Sequence, residues 1–148
     1  QQSNRLDVMQ MRDVLLTIKG LYMRGDTHDD IEFATQAQLF CEDGVYTIVY
    51  DGPEAAIPDE SKTVIRVEDR TVSVLRDAEG SIPFMFEDKT PYKTNYRAGD
   101  NFYDMLLFPT KVHTKLAEDH GKIELEYTIS VDGSQAINKI DMHYAPLE

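Results

Sequence analysis

The feature that most limits what this chain can fold into is a run of strict alternation near its C-terminus. Ile123, Leu125, Tyr127, Ile129 and Val131 alternate with Lys122, Glu124, Glu126, Thr128 and Ser130. A helix repeats every 3.6 residues and would scatter these apolar groups around its axis. A strand repeats every two and collects them on one side. The run therefore reads as a half-buried antiparallel strand with one wet face. Residues 111–116 form the strand before it, across a turn at residues 118–121. Asp132-Gly133-Ser134 turns into a last strand that ends near Tyr144.

The rest of the chain repeats this unit. Val14, Leu16 and Ile18 alternate with Asp13, Leu15, Thr17 and Lys19, which predicts a first strand. A loop over residues 25–29 leads to a long strand with Ile31, Phe33, Thr35, Ala37, Leu39 and Cys41 on one face. Glu42-Asp43-Gly44 is a hairpin signal, because Gly accepts the positive φ such turns require. Residues 45–50 return, rich in β-branched and aromatic side chains. Residues 51–61 hold Pro53 and Pro58 and read as a long loop or lid.

Thr63, Ile65 and Val67 mark the next strand, and Asp69-Arg70 turns into residues 71–76. Ala78-Glu79-Gly80 turns into Ile82, Phe84 and Phe86. Tyr92, Thr94 and Tyr96 mark another strand, ended by Ala98-Gly99-Asp100-Asn101. Residues 102–108 alternate poorly. They read as a strand, with one helical turn capped by Asp100 as the competing reading. Pro109 then forces a break, an edge position or a bulge.

This amounts to about nine or ten short strands in an antiparallel meander, all-β, without a helix. A meander this long hides its edges by closing into a barrel or splitting into a sandwich. Successive hairpins without a crossover favour an eight-to-ten-stranded barrel. With 148 residues, one domain over residues 12–148 is expected, after a disordered or briefly helical lead over residues 1–11.

Charge and cysteine content narrow the partners. The net charge of −12 repels phosphate backbones and anionic lipid, so neither nucleic acid nor a membrane surface is an expected partner. No apolar run approaches the roughly 20 residues of a membrane span. Gln1-Gln2-Ser3-Asn4 lacks the basic, apolar and small segments of a signal peptide, although a processed chain would look the same. The lone Cys41 rules out an internal disulfide framework and is compatible with a reducing compartment.

Candidate chemistry is sparse. His28-Asp29-Asp30 is the one local cluster of metal-ligand type, and it reads as a solvated acidic turn. His113 and His143 fall on the terminal strands, out of phase with the apolar faces, and read as an exposed cross-strand pair. Cys41 shares a face with Leu39 and Phe33, so a structural thiol is expected rather than a nucleophile. The paired carboxylates at residues 29–30, 42–43, 68–69 and 118–119 stand at turns. Water-poor sites with separated pKa values are what acid–base catalysis needs. No glycine-rich phosphate loop or nucleophile elbow occurs. No catalytic residue, metal or cofactor is expected, and the protein reads as a non-enzyme. An enzyme would need a titratable pair inside the barrel, such as His113 with an inward carboxylate.

The set that could line a ligand site is Phe84, Phe86, Tyr92, Tyr96, Tyr103 and Met105. If their strands are neighbours, these side chains gather at one end of the barrel, where small barrels hold a single ligand. The competing reading is a filled core, with Met plugging gaps and Tyr hydroxyls reaching the rim. Arg66, Arg76 and Arg97 could meet an acidic ligand at the mouth, but their phase favours surface ion pairs. The leading functional expectation is binding of a small apolar or amphipathic molecule. The alternative is an interaction module or homodimer using an exposed patch from Phe40, Tyr46, Ile48 and Tyr50, which occupy both phases of one hairpin.

The hairpin order and three segments resemble the YwiB-like family of small bacterial proteins. They are residues 12–20 (RDVLLTIKG), residues 121–131 (GKIELEYTISV) and Asn138-Lys139-Ile140. The resemblance spans residues 12–144. It implies a calycin-like barrel, similar to lipocalins, and a cytoplasmic bacterial setting. It implies no activity and no catalytic residue. Where that family's pattern has Thr-Pro-Tyr-Gly, this chain has Thr90-Pro91-Tyr92-Lys93.

Overall fold

The computed structural model describes residues 10–51, 62–77, 84–98 and 100–147, with the side chains of Arg76, Asp77, Tyr96, Arg97 and Ala98 excluded. The described residues form ten strands: β1 (Gln10–Arg24), β2 (Thr27–Glu42), β3 (Val45–Asp51), β4 (Lys62–Glu68), β5 (Thr71–Asp77), β6 (Phe84–Glu87), β7 (Tyr92–Ala98), β8 (Asn101–Leu116), β9 (Gly121–Val131) and β10 (Ser134–Pro146). All pair antiparallel in one sheet of order β6-β5-β4-β3-β2-β1-β10-β9-β8-β7. The expected long loop beyond Asp51, the turn over residues 78–80 and Ile82 lie outside the described residues, as do residues 1–9.

The first and last strands join the two arms of this meander. They pair over ten positions, from Val14 opposite Pro146 to Met23 opposite Ile137. The edges of the sheet are therefore β6 and β7, which are consecutive in sequence. They meet at a turn, where the Thr90 amide donates to the Glu87 carbonyl at 3.0 Å and the Lys89 amide to the Pro109 carbonyl at 2.9 Å. Glu87 and Thr90 form a single bridge there. The result is a nearly closed antiparallel barrel, its seam held by one turn rather than a full ladder.

The hairpins follow from their turn residues. Asp43 and Gly44 have φ of 52° and 80°, and Asp132 and Gly133 have 52° and 81°. Two positive φ values at the centre of a two-residue loop match the right-handed twist of the flanking strands. Several strands run longer than the sequence predicts. β1 begins at Gln10 and continues through Gly20 to Arg24, and β2 starts at Thr27, so the expected loop over residues 25–29 shrinks to Gly25-Asp26. The competing helical turn does not form. Residues 102–108 belong to the 16-residue β8.

Pro109 produces a bulge. The β8–β9 register shifts between Pro109 and Lys111, leaving Thr110 as an extra residue. The Thr110 hydroxyl donates to the Glu126 carbonyl at 3.0 Å. The inward set changes from Met105, Leu107 and Pro109 to Val112, Thr114 and Leu116. A proline has no amide hydrogen for the ladder, so a bulge is one of the few places a strand tolerates it.

The core fills the interior. Val14, Leu16, Leu39, Ile48, Leu107, Ile123 and Leu125 are fully buried, and their sequence neighbours face water. At the end carrying the turns at residues 43–44 and 69–70, Tyr144 closes the floor. Its hydroxyl donates to the Ala117 carbonyl at 2.7 Å, from the loop between β8 and β9.

Candidate ligand cavity

Side chains alone do not fill the other half of the barrel. About eight strands is the width at which side chains occupy the interior or leave room for one small ligand. Here the barrel holds a half-open cavity of about 140 Å³. Eight strands supply its walls: Ile18 and Tyr22 from β1, Ile31 and Phe33 from β2, Tyr50 from β3, Ile65 from β4, Val74 from β5, Phe84 and Phe86 from β6, Leu125 and Tyr127 from β9, and Ile140 and Met142 from β10. Six of these thirteen side chains are aromatic. Phe86 meets Tyr127 edge to face at 4.9 Å, across the interior, and Phe33 lies 6.5 Å from Tyr50.

Register explains how polar groups enter this wall. Tyr22 stands opposite Asn138, and Asn138 opposite Tyr127, so three inward polar residues form one row across β1, β10 and β9. Asn138 is buried, and its side chain hydrogen-bonds the Tyr127 hydroxyl. Burial pushes the Tyr127 phenol up to about 12, partly opposed by that hydrogen bond, so it is a neutral hydroxyl at physiological pH. Gly20 provides the space beside this row. A β-carbon at Gly20 would lie 3.0 Å from the Tyr22 hydroxyl and 3.1 Å from Ile31. A glycine within a strand here marks a close approach by another side chain.

The residues expected to line a site divide into two groups. Phe84 and Phe86 are in the cavity wall. Tyr92, Tyr103 and Met105 share the inward phase of β7 and β8, where Tyr92 faces Leu107, Tyr96 faces Tyr103 and Thr94 faces Met105. Met105 is buried and Tyr92 and Tyr103 are half-buried, but none borders the cavity. The side chain of Tyr96 lies outside the described residues. Met105 instead borders a separate surface depression of about 790 Å³ with Lys93, Asn95, Asp104 and Asp132. Sequence reasoning passed over Tyr22, Asn138 and Gly20, and it assigned Tyr50 to an outward patch rather than to the cavity wall. The available signal was a polar residue, Asn138, in phase with Ala136, Ile140 and Met142.

The remaining candidates stay outside the cavity. His113 does not face His143, because β9 lies between their strands. His113 sits 3.4 Å from Glu124, which also pairs with Lys111 at 3.3 Å and Lys122 at 3.6 Å. Hydrogen bonding to Lys111, helped by the other cations, holds the Glu124 carboxyl below its usual range. Cys41 is half-buried. Burial, reinforced by Glu118, raises its thiol, with Arg12 opposing, which is the reverse of an activated nucleophile. His28, Asp29 and Asp30 are exposed on β2. Among the described residues no three His, Cys, Asp or Glu side chains converge as a metal site, and no helix is long and apolar enough to cross a membrane. Among the described residues the cavity wall offers hydroxyls and aromatic faces, without a carboxylate, imidazole or amine.

A nearly closed, ten-stranded antiparallel barrel with an aromatic-walled interior defines a calycin-like β-barrel protein. Residues 16–143 match the model of a domain of unknown function, DUF1934, and the chain belongs to that family. Its fold is similar to the crystal structure of the YwiB protein from Bacillus subtilis, with a TM-score of 0.82 over 99% of each chain at 18% identity. No curated protein matches the chain.

Proposed function

We propose that the barrel binds a small apolar or amphipathic molecule inside its cavity without altering it chemically. The observation that carries this reading is the unfilled aromatic and aliphatic space of about 140 Å³ in an otherwise close-packed interior. Packed interiors rarely leave a void larger than a water molecule. An apolar cavity of about 150 Å³ elsewhere stays dry and accepts benzene. The aromatic and aliphatic side chains of the described wall suit an apolar occupant. A cytoplasmic setting fits the lone cysteine.

Methyl-resolved NMR during titration with benzene and 1-pentanol tests the proposal. The expected result is saturable shifts at Ile18, Ile65, Leu125, Ile140 and Met142, with Val14 and Ile123 nearly still. Unmoved cavity methyls at saturating probe would overturn it.

A second reading is partner binding through the outer face. The hairpin expected to supply a patch does not, since Ile48 and Tyr50 are buried and Phe40 and Tyr46 half-buried. Phe102 is 69% exposed, and Leu106 and Ile137 are also exposed toward the same barrel end. Sedimentation with Phe102→Ser tests this reading. A concentration-dependent dimer lost in the variant would favour it, and a monomer in both would dismiss self-association.

A further inference from the structure

We propose that the outer face of β8, β9, β10 and β1 packs against the same face of a second copy, about a two-fold axis running across the strands. The proposal makes the second reading above specific to self-association and is independent of the cavity.

An apolar band marks the face. Phe108 stands opposite Thr128, Thr128 opposite Ile137, and Ile137 opposite Met23, so one outward row crosses four strands. Leu106, opposite Ser130, widens the band by one row. Leu106 and Ile137 are exposed while their sequence neighbours are buried, and Phe108 and Met23 are half-buried. Outward residues on paired strands lie about 5 Å apart, so these side chains adjoin rather than scatter. A contiguous exposed apolar patch marks an interface.

Charge identifies the occupant. On one side of the band the next outward row holds Lys111, Glu126 and Lys139. On the other side stand Asp104 on β8 and Asp132 in the turn after β9, and both border a surface depression with Leu106. Among the described residues Asp104, Asp132 and Lys139 enter no ion pair. Lys111 meets Glu124 at 3.3 Å.

This pattern of signs selects the axis. An isologous interface sets each residue against the position mirrored across the two-fold. An axis perpendicular to the band would set lysine against lysine. An axis along the band sets Lys111 of each copy against Asp104 of the other, brings Lys139 toward Asp132, and lays Leu106 on Phe108. Glu126 is the one mismatch, and it stands between the two lysines. The strands of the two copies then run face to face, the aligned packing common between sheets. Any other protein would have to reproduce this two-signed pattern, which a second copy supplies by symmetry.

Sedimentation of the native protein, of Asp104→Lys, of Lys111→Glu and of the two variants mixed in equal amounts tests the face and the axis. The native protein is expected to form a concentration-dependent dimer. Each variant alone sets like charges together at both symmetric contacts, so its dissociation constant should rise at least about tenfold. The mixture should dimerise again, because the new lysine of one chain meets the new glutamate of the other while the second contact is native. Leu106→Ser should weaken the dimer as well, and no mixture should repair it. All three positions are exposed, and circular dichroism checks that each variant folds. A native monomer at every concentration overturns the proposal. Variants that dimerise like the native protein, or a mixture that stays monomeric, overturn it equally. A dimer insensitive to the charge variants but lost in Phe102→Ser overturns this axis and leaves the partner reading standing.

Discussion

The hydroxyl of Tyr144 lies 2.7 Å from the point where a β-carbon on Gly121 would sit. The same point is 2.9 Å from the Lys115 carbonyl oxygen, which belongs to the backbone and cannot rotate away. Gly121 and Tyr144 face each other across β9 and β10, and the phenol passes over the glycine to reach Ala117. Gly121→Ala should therefore cost about 1–3 kcal/mol, as overpacked sites do. Tyr144→Phe should cost about 1 kcal/mol through the lost hydrogen bond. The double variant should cost less than the sum, because removing the hydroxyl relieves part of the clash. Urea midpoints of the four proteins check this, and strict additivity would show that the two groups do not touch.

Alkaline stability reports on the buried phenols. Tyr127 and Tyr144 are both raised, chiefly by burial. An unfolded tyrosine loses its proton near pH 10. Between that value and the folded one the native state holds more protons than the unfolded state, so stability must fall as pH rises. The contribution is complete below pH 10 and declines above it by up to about 1.4 kcal/mol per pH unit for each such tyrosine. Tyrosinate absorbance should show these two groups ionising only with unfolding. Smooth ionisation near pH 10 in a folded protein would contradict their burial.

Much of this architecture was legible because water and core alternate along β9 and because Asp-Gly at residues 43–44 and 132–133 specifies tight hairpins. The barrel and its antiparallel order followed from those two signals. The extension of β1 past Lys19 runs through Gly20, which has no side chain to continue the alternation. Its real role is to make room for Tyr22, a contact three-dimensional packing alone reveals. In β8 the pattern was blurred because Phe102 and Leu106 face outward while Met105 and Leu107 face inward. The cavity was half legible. Phe84 and Phe86 stood out as aromatics in phase, but placing Tyr22, Asn138 and Tyr127 in one row requires the pairing of β1 with β10. No local pattern encodes that long-range register.

Acid should weaken the outer face of β8 and β9. Glu124 gathers Lys111, His113 and Lys122, and its folded pKa lies below the unfolded one. Its contribution is therefore present above the unfolded carboxylate value, near 4.3, and disappears as pH falls through the depressed folded value. Glu124→Gln should cost under about 1 kcal/mol at pH 7, as expected of ion pairs at the surface. The difference should shrink in high salt and below pH 3. Denaturant titrations at pH 7 and pH 3, each with and without added sodium chloride, measure it.

Filling the cavity should separate stability from binding. Val74 is a half-buried wall residue on β5. Val74→Leu adds one methylene to space that is already vacant, so strain is small. The expected gain is about 0.5–1 kcal/mol, accompanied by weaker benzene binding. Thermal unfolding and the methyl-NMR titration read the two effects on the same sample. Loss of stability with binding unchanged would mean that the vacant volume does not adjoin Val74.

Deleting Thr110 should be tolerated far better than deleting His113, three residues on. Thr110→Ala removes one hydroxyl-to-carbonyl hydrogen bond on the exposed side of the bulge and should cost about 1 kcal/mol or less. Thr110 and Lys111 are consecutive outward residues between the inward Pro109 and Val112. Without Thr110, Lys111 follows Pro109 directly and still stands opposite Glu126, so Val112, Thr114 and Leu116 keep their inward phase. That deletion irons out the bulge and leaves both faces of the strand in place. Deleting His113 removes a residue from the regular ladder instead. It turns Leu116 outward with Lys115 inward, or Val112 outward with Lys111 inward, because a one-residue slip exchanges the two faces of the segment it moves. Burying an unpaired ammonium costs several kcal/mol, comparable to the whole stability of a domain this size. Circular dichroism should therefore show native β-sheet for the Thr110 deletion and its loss for the His113 deletion. An unfolded Thr110 deletion would mean that the strand needs the bulge itself to accommodate Pro109.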